Sequence, residues 1–137
     1  MADRAAVARL FAADARVITR LAAQVPRCPS DETGSTPWTS FRHELALARK
    51  LSDRSAGTLI RHAVRLTTCL PRALALLDQG VLTVPRATAF LTELDAVGDE
   101  LAGRIDAELA DKVALLPSPA HRRQERRPRR RAAPHCR

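Results

Sequence analysis

Five basic residues in the middle of the chain have the spacing of a phosphate-binding surface. Arg54, Arg61 and Arg65 are separated by seven and four residues, so an α-helix places them in one narrow stripe. Arg49 and Lys50 come just before this stripe. Cationic side chains on one face neutralise backbone phosphates and release counterions, which is the chemistry of non-specific nucleic-acid binding. We therefore take these five residues as the candidate nucleic-acid-binding site.

No motif in the chain indicates catalysis. There is no Gly-rich phosphate loop, no G-x-S-x-G and no H-E-x-x-H pattern. Three cysteines, Cys28, Cys69 and Cys136, are odd in number and far apart, so we expect free thiols and no zinc site. His43 and His62 lie on helical segments and are expected at the surface. We predict no catalytic residue, no metal site and no cofactor.

The arginine stripe belongs to residues 51–82, the most regular part of the chain. Ser52 is a good N-cap, and the apolar period from there is close to 3.6 residues. Pro71 removes a backbone donor, so the helix ends before it and a shorter helix follows, closed by Gly80. The predicted packing face lies opposite the arginines and consists of Ala56, Leu59, Ala63, Leu66 and Leu70.

The order of residues in this hairpin resembles the helical domain of the actinobacterial 13E12 repeat family, a domain of unknown function (222). The likeness runs from about residue 41 to about residue 116. The residues that carry it are Leu51, Ser52, Ala56, Ala63, Leu66, Leu70, Pro71, Ala73, Leu74, Leu77, Gly80, Leu82 and Ala87.

In that family the domain commonly precedes an HNH nuclease module. The resemblance therefore implies a nucleic-acid-associated accessory region of a mobile-element-like protein. An HNH site needs His as general base and metal ligand and Asn to orient the base, but this chain contains no Asn. We expect a truncated, non-enzymatic member that lacks the nuclease module.

Composition indicates an all-α fold. Aromatic residues make up 3% of the chain and Tyr is absent, so the core must consist of Leu, Ala and Val, which suit helices. We predict a small domain of about five to six helices with a disordered basic tail. The expected segments are an N-terminal amphipathic helix (1–25), a linker loop (26–37), the 13E12-repeat-like helical domain (38–116) and a disordered Arg-rich tail (117–137).

The first and last helices have apolar residues at helical spacing. In the first, Asp14 interrupts a heptad seam and needs an arginine partner if that side is buried. The predicted seam is Val7, Phe11, Ile18, Leu21 and Val25, and the predicted core side of the last helix is Leu101, Ile105, Leu109 and Val113. We favour packing of the first helix against the domain, with homodimer formation through residues 1–25 as the alternative.

The sequence of residues 45–61 resembles a helix-turn-helix, in which a second helix carries exposed arginines. The glycine usual in such a turn is absent, and Asp53 stands where an apolar residue is expected. We favour the interpretation that this segment is simply two helices joined by a short turn. The alternative is that it reads a specific DNA sequence.

Charge is unevenly distributed. Residues 120–137 hold eight Arg and one Glu, whereas residues 42–72 hold seven basic and two acidic side chains and residues 73–111 hold two basic and eight acidic ones. The tail is either a phosphate-binding arm or the product of an out-of-frame read, which we favour. The basic and acidic blocks could pair with each other or with an external partner.

Three functions remain open from the sequence. The favoured one is a nucleic-acid-associated domain that contacts DNA through the basic stripe and the Arg-rich tail. The alternatives are a helical dimerisation module and a remnant without present function. No run of eighteen apolar residues and no signal peptide occurs, so we expect no membrane contact and a cytoplasmic location.

Overall fold

The computed structural model describes residues 3–26 and 36–115. Within these ranges the chain forms six α-helices, one 3-10 turn (Leu94–Ala96) and no β-strand, as the all-α prediction requires. The predicted tail and most of the predicted linker lie outside the described residues. The helices are α1 (Arg4–Ala23), α2 (Pro37–Arg49), α3 (Asp53–Cys69), α4 (Pro71–Asp78), α5 (Val84–Glu93) and α6 (Asp99–Leu115).

Helix α3 is the centre of the fold and packs against α1, α2, α4 and α6. Ser52 caps it, because its Oγ accepts a hydrogen bond from the Ser55 N–H at 3.0 Å. The predicted packing face is confirmed at Ala56, Ala63, Leu66 and Leu70, which are buried, and in part at Leu59, which is half-buried.

The break at Pro71 and the turn at Gly80 are also as predicted. Gly80 has φ +75°, a left-handed conformation that ends α4. A Cβ at this position would lie 2.5 Å from the Cβ of Ala5, so the glycine also allows the start of α1 to approach. The following helix buries Ala87, Phe90 and Leu91.

Helix α4 takes its N-cap from another helix. No side chain next to α4 caps its first turn. Instead Asp106 of α6, which is 1% exposed, accepts hydrogen bonds from the backbone N–H groups of Arg72 at 2.9 Å and Ala73 at 2.8 Å. Burial raises the pKa of Asp106, and these hydrogen bonds oppose the rise.

The predicted seam of α1 is wrong in part. Ile18 is buried and Phe11 packs against the core, but Val7 and Leu21 are 40% and 44% exposed. The face that packs consists mainly of alanines, and its buried residues are Ala8, Ala12, Ala15 and Ile18. Small side chains let two helix backbones approach closely, so this face fits against α3 better than the larger residues would.

The predicted core side of α6 needs a similar correction. Leu101 and Leu109 are 46% and 39% exposed, whereas Ile105 and Val113 are partly buried. The buried positions are one residue further along the helix, at Ala102, Asp106, Ala110 and Ala114. Within the described ranges no helix has the length and apolar character needed to cross a membrane.

Candidate nucleic-acid interface

The face of α3 that points away from the core lines an open cleft of about 900 Å³. Trp38 of α2 and Asp99, the first residue of α6, also line this cleft. Four arginines and two aspartates border it: Arg42, Arg54, Arg61, Arg65, Asp53 and Asp99. The structure therefore brings three of the five predicted site residues together and adds Arg42, which was not among them.

Arg42 reaches the cleft by crossing α3 at Gly57. A Cβ on Gly57 would lie 3.4 Å from the Cδ of Arg42, so a larger residue there would press on the arginine. The Nε of Arg42 is buried and has no hydrogen-bond partner among the described residues. Arg42 follows Trp38 by four residues, which places both on one helical face, and this spacing was the available signal in the sequence.

Trp38 supplies an aromatic surface at the cleft. Its side chain is 43% exposed, and its ring centroid lies 5.9 Å from that of Phe41 with the ring planes tilted by 52°. Phe41 packs against the hydrophobic core, so it holds the indole from one side while the rest of the indole stays accessible.

Arg65 is not solvent-facing, and that prediction is wrong. Its side chain is only 15% exposed. The guanidinium donates hydrogen bonds to the carbonyl oxygens of Leu94 and Val97, the latter at 2.8 Å, and to Asp99 at 2.9 Å. Arg65 therefore ties α3 to the segment between α5 and α6, because it binds two backbone carbonyls of that segment and the first residue of α6.

Arg61 is more exposed to solvent than Arg65. Its side chain is 56% exposed, and its Nε lies 3.5 Å from Asp95, a long and weak ion pair. Asp95 is also 3.1 Å from Nε2 of His62, which is buried and not at the surface as predicted. Burial would raise the pKa of Asp95, but hydrogen bonds from Arg61 and His62 outweigh it and lower the pKa. The carboxylate therefore stays charged and offsets part of the positive charge of Arg61.

Arg54 lies at the first turn of α3 and is exposed. The ion pairs found among the described residues do not include it. Arg54 therefore matches the predicted solvent-facing cation best.

Arg49 and Lys50 do not line the cleft. Arg49 donates hydrogen bonds of 2.6 Å and 3.0 Å to Asp14 of α1, which is the partner predicted to be needed there. The hydrogen bond to Asp14 raises the pKa of Arg49. Lys50 is exposed with φ +56°, and the N–H of Leu51 donates to the Ala46 carbonyl at 2.8 Å. Lys50 therefore takes the left-handed position that glycine usually fills after a helix.

The packing of α3 does not favour its use as the recognition helix of a helix-turn-helix. A three-residue turn does join α2 to α3. However, four other helices contact α3, and its free face lies at the bottom of the cleft. A recognition helix projects from its domain into the major groove, whereas the free face of α3 lies in a cleft that α2 and the start of α6 also line.

Within residues 3–26 and 36–115, no three His, Cys, Asp or Glu side chains cluster as a metal site would require. Cys69 is a free, partly buried thiol at the end of α3. Cys28 and Cys136 lie outside the described residues.

No protein-family model, no curated protein and no solved structure matches the chain. The resemblance to the 13E12 repeat family therefore stays a prediction based on the residues named above.

Proposed function

We propose that this protein is a non-catalytic helical domain that binds single-stranded nucleic acid through the cleft on α3. The observation that carries the proposal is the convergence of Arg42, Arg54 and Arg61 on one open cleft with the exposed ring of Trp38. Proteins bind single strands by combining a basic groove, which follows the phosphates, with aromatic rings on which bases stack.

A single strand suits this cleft better than a duplex. Trp38 can stack only on a base that is not already stacked within a helix. The free face of α3 lies within a cleft and does not project as a recognition helix does, whereas a flexible strand can follow the cleft. Four arginines face two aspartates there, so the net charge of the lining favours an anionic ligand.

The proposal agrees with what the family resemblance implies, a nucleic-acid-associated accessory region of a mobile-element-like protein. The proposed binding site contains fewer of the predicted residues. Arg54 and Arg61 remain as phosphate ligands and Arg42 joins them, whereas Arg49, Lys50 and Arg65 are better explained by structural roles.

Salt-dependent binding of a short labelled oligonucleotide tests the phosphate contacts. Each neutralised phosphate contributes about 0.7 to the slope of log K against log salt for single strands. Changing both Arg42 and Arg54 to Gln should therefore reduce the slope by about 1.4. The full chain serves for this experiment, because the eight arginines of residues 120–137 contribute equally to both proteins.

Arg104→Gln is the matched control, because Arg104 is 71% exposed on α6 and does not line the cleft. It should leave the slope nearly unchanged. If the cleft variant and the control behave alike while both remain folded by circular dichroism, the cleft is not the binding surface. Deleting residues 117–137 should separately remove most of the slope, as the charge distribution predicts.

Trp38 allows a second, independent measurement because it is the only Trp in the chain. Stacking of a base should quench its fluorescence, and single-stranded ligand should quench it more than duplex of the same sequence. Trp38→Ala should weaken binding by about 1–3 kcal/mol without changing the salt slope, because stacking releases no counterions. Equal quenching by both ligands would contradict the single-strand proposal.

A further inference from the structure

The outward face of α1 carries a regular apolar stripe. Val7, Leu10, Val17 and Leu21 recur at heptad spacing, and their exposed fractions are 40%, 69%, 45% and 44%. Ala8, Ala12 and Ala15 hold the other side of α1 against the domain, so the stripe is not part of the core. Large apolar side chains aligned on one exposed face are typical of an interaction surface, whereas isolated ones are common on any protein.

The stripe is nearly symmetric about its centre. Val7 and Leu21 lie seven residues on either side of Asp14, and Leu10 and Val17 lie four residues before it and three after it. A two-fold axis near Asp14 therefore places apolar residues of one copy against apolar residues of another in an antiparallel pair. Such self-complementarity is what an isologous dimer interface requires.

The polar centre of the stripe does not prevent this pairing. Asp14 would repel a second Asp14 if both charges were unpaired. In this structure Arg49 of the same chain already pairs with Asp14 through two hydrogen bonds of 2.6 Å and 3.0 Å. In each copy the charge of Asp14 is therefore already neutralised by Arg49 of the same chain. A single polar position in an apolar interface also fixes the register of the two paired helices.

We propose that two copies of this chain associate through antiparallel packing of their α1 stripes. This use of the surface differs from the predicted seam, because Leu10 and Val17 replace Phe11 and Ile18, which pack inside their own chain. The stripe covers fewer than three heptads, so the dimer should be weak and concentration-dependent. The inference does not depend on nucleic-acid binding by the cleft.

Sedimentation equilibrium of the full chain at about 1 µM to about 1 mM covers the range of weak association. The mean mass should rise from that of a monomer toward that of a dimer. Leu10→Lys and Leu21→Glu should each keep the protein monomeric throughout. Leu101→Glu is the control, because Leu101 is a similarly exposed residue on α6, and it should dimerise normally.

A mixture of the Leu10→Lys and Leu21→Glu proteins tests the direction of the helices. In the antiparallel pair the new Lys of one chain lies near the new Glu of the other, so the mixture should dimerise although each protein alone does not. Failure of the mixture to associate would overturn the antiparallel arrangement. A wild-type chain that stays monomeric up to about 1 mM, or a stripe variant that dimerises as well as the control, would overturn the proposal itself.

Discussion

Asp106 is a carboxylate buried in a helical core, a position from which the free-energy cost of removing a charge from water usually excludes it. It is retained because its oxygens satisfy two backbone N–H groups at the start of α4, where the helix dipole also favours a negative charge. Asp106 was not among the residues predicted for the core side of the last helix. Nothing in its spacing shows that it faces the end of another helix, so only the tertiary structure reveals this role.

The capping role predicts a graded effect of substitution. Asp106→Ala leaves both N–H groups without an acceptor and should lower the free energy of unfolding by about 1–3 kcal/mol. Asp106→Asn keeps one carbonyl acceptor and should cost less. Urea denaturation at pH 7 measures both, and equal losses for Ala and Asn would argue against capping.

The raised pKa of Asp106 also predicts a pH dependence. Because the folded protein holds this proton more tightly than the unfolded chain, the contribution of Asp106 to stability is largest at low pH. It decreases as pH rises from about 4, the ordinary Asp value, through the raised pKa. The unfolding free energy of the wild type minus that of Asp106→Asn should therefore fall over this range. Parallel pH curves for the two proteins would contradict the raised pKa.

Lys50 provides another residue-level test, because a non-glycine residue with φ +56° carries strain. Lys50→Gly should stabilise the protein by about 1 kcal/mol, since glycine adopts this conformation without steric cost. Lys50→Ala retains the Cβ and should change stability little. The two variants can be compared by thermal denaturation, and similar melting temperatures would show that the turn is unstrained.

At the scale of elements, periodicity located the helices but not every packing face. The hairpin of α3 and α4 was predicted well because its large apolar residues share one sector and Pro71 marks the break. In α1 and α6 the buried face consists mainly of alanines. Alanine contributes little apolar area, so a pattern weighted by hydrophobicity favours the leucines, whereas close helix packing favours the smallest side chains.

Ion pairs between elements explain the uneven charge of the sequence. Arg61, Arg65 and Arg72 pair with Asp95, Asp99 and Asp111, respectively. The basic middle and acidic later part of the chain therefore meet within the fold, which was one of the two predicted alternatives. These ion pairs also explain why the candidate site was predicted only in part. The spacing of residues in the sequence does not show which arginines pair with a carboxylate elsewhere in the fold.

At the scale of the whole molecule, Leu66 should be among the most sensitive positions. It is 1% exposed at the centre of the core. Leu66→Ala should cost about 2–5 kcal/mol, a large part of the stability of a domain of this size. Leu10→Ala on the exposed stripe should cost less than about 0.5 kcal/mol. Chemical denaturation of both variants at low protein concentration checks the assignment of inner and outer faces, and similar losses would contradict it.

The position of α1 in the chain also affects how the protein is made. Helix α1 packs against α3, α4 and α5, all of which follow it, and its Arg16 pairs with Asp78 at the end of α4. At about 5–20 residues per second, a ribosome needs several seconds to add the partners that cover Ala8, Ala12 and Ala15. During translation both the alanine face and the apolar stripe of α1 are therefore exposed to solvent. Although α1 is synthesised before its partners, its packing within the fold is complete only after α5 has left the ribosome.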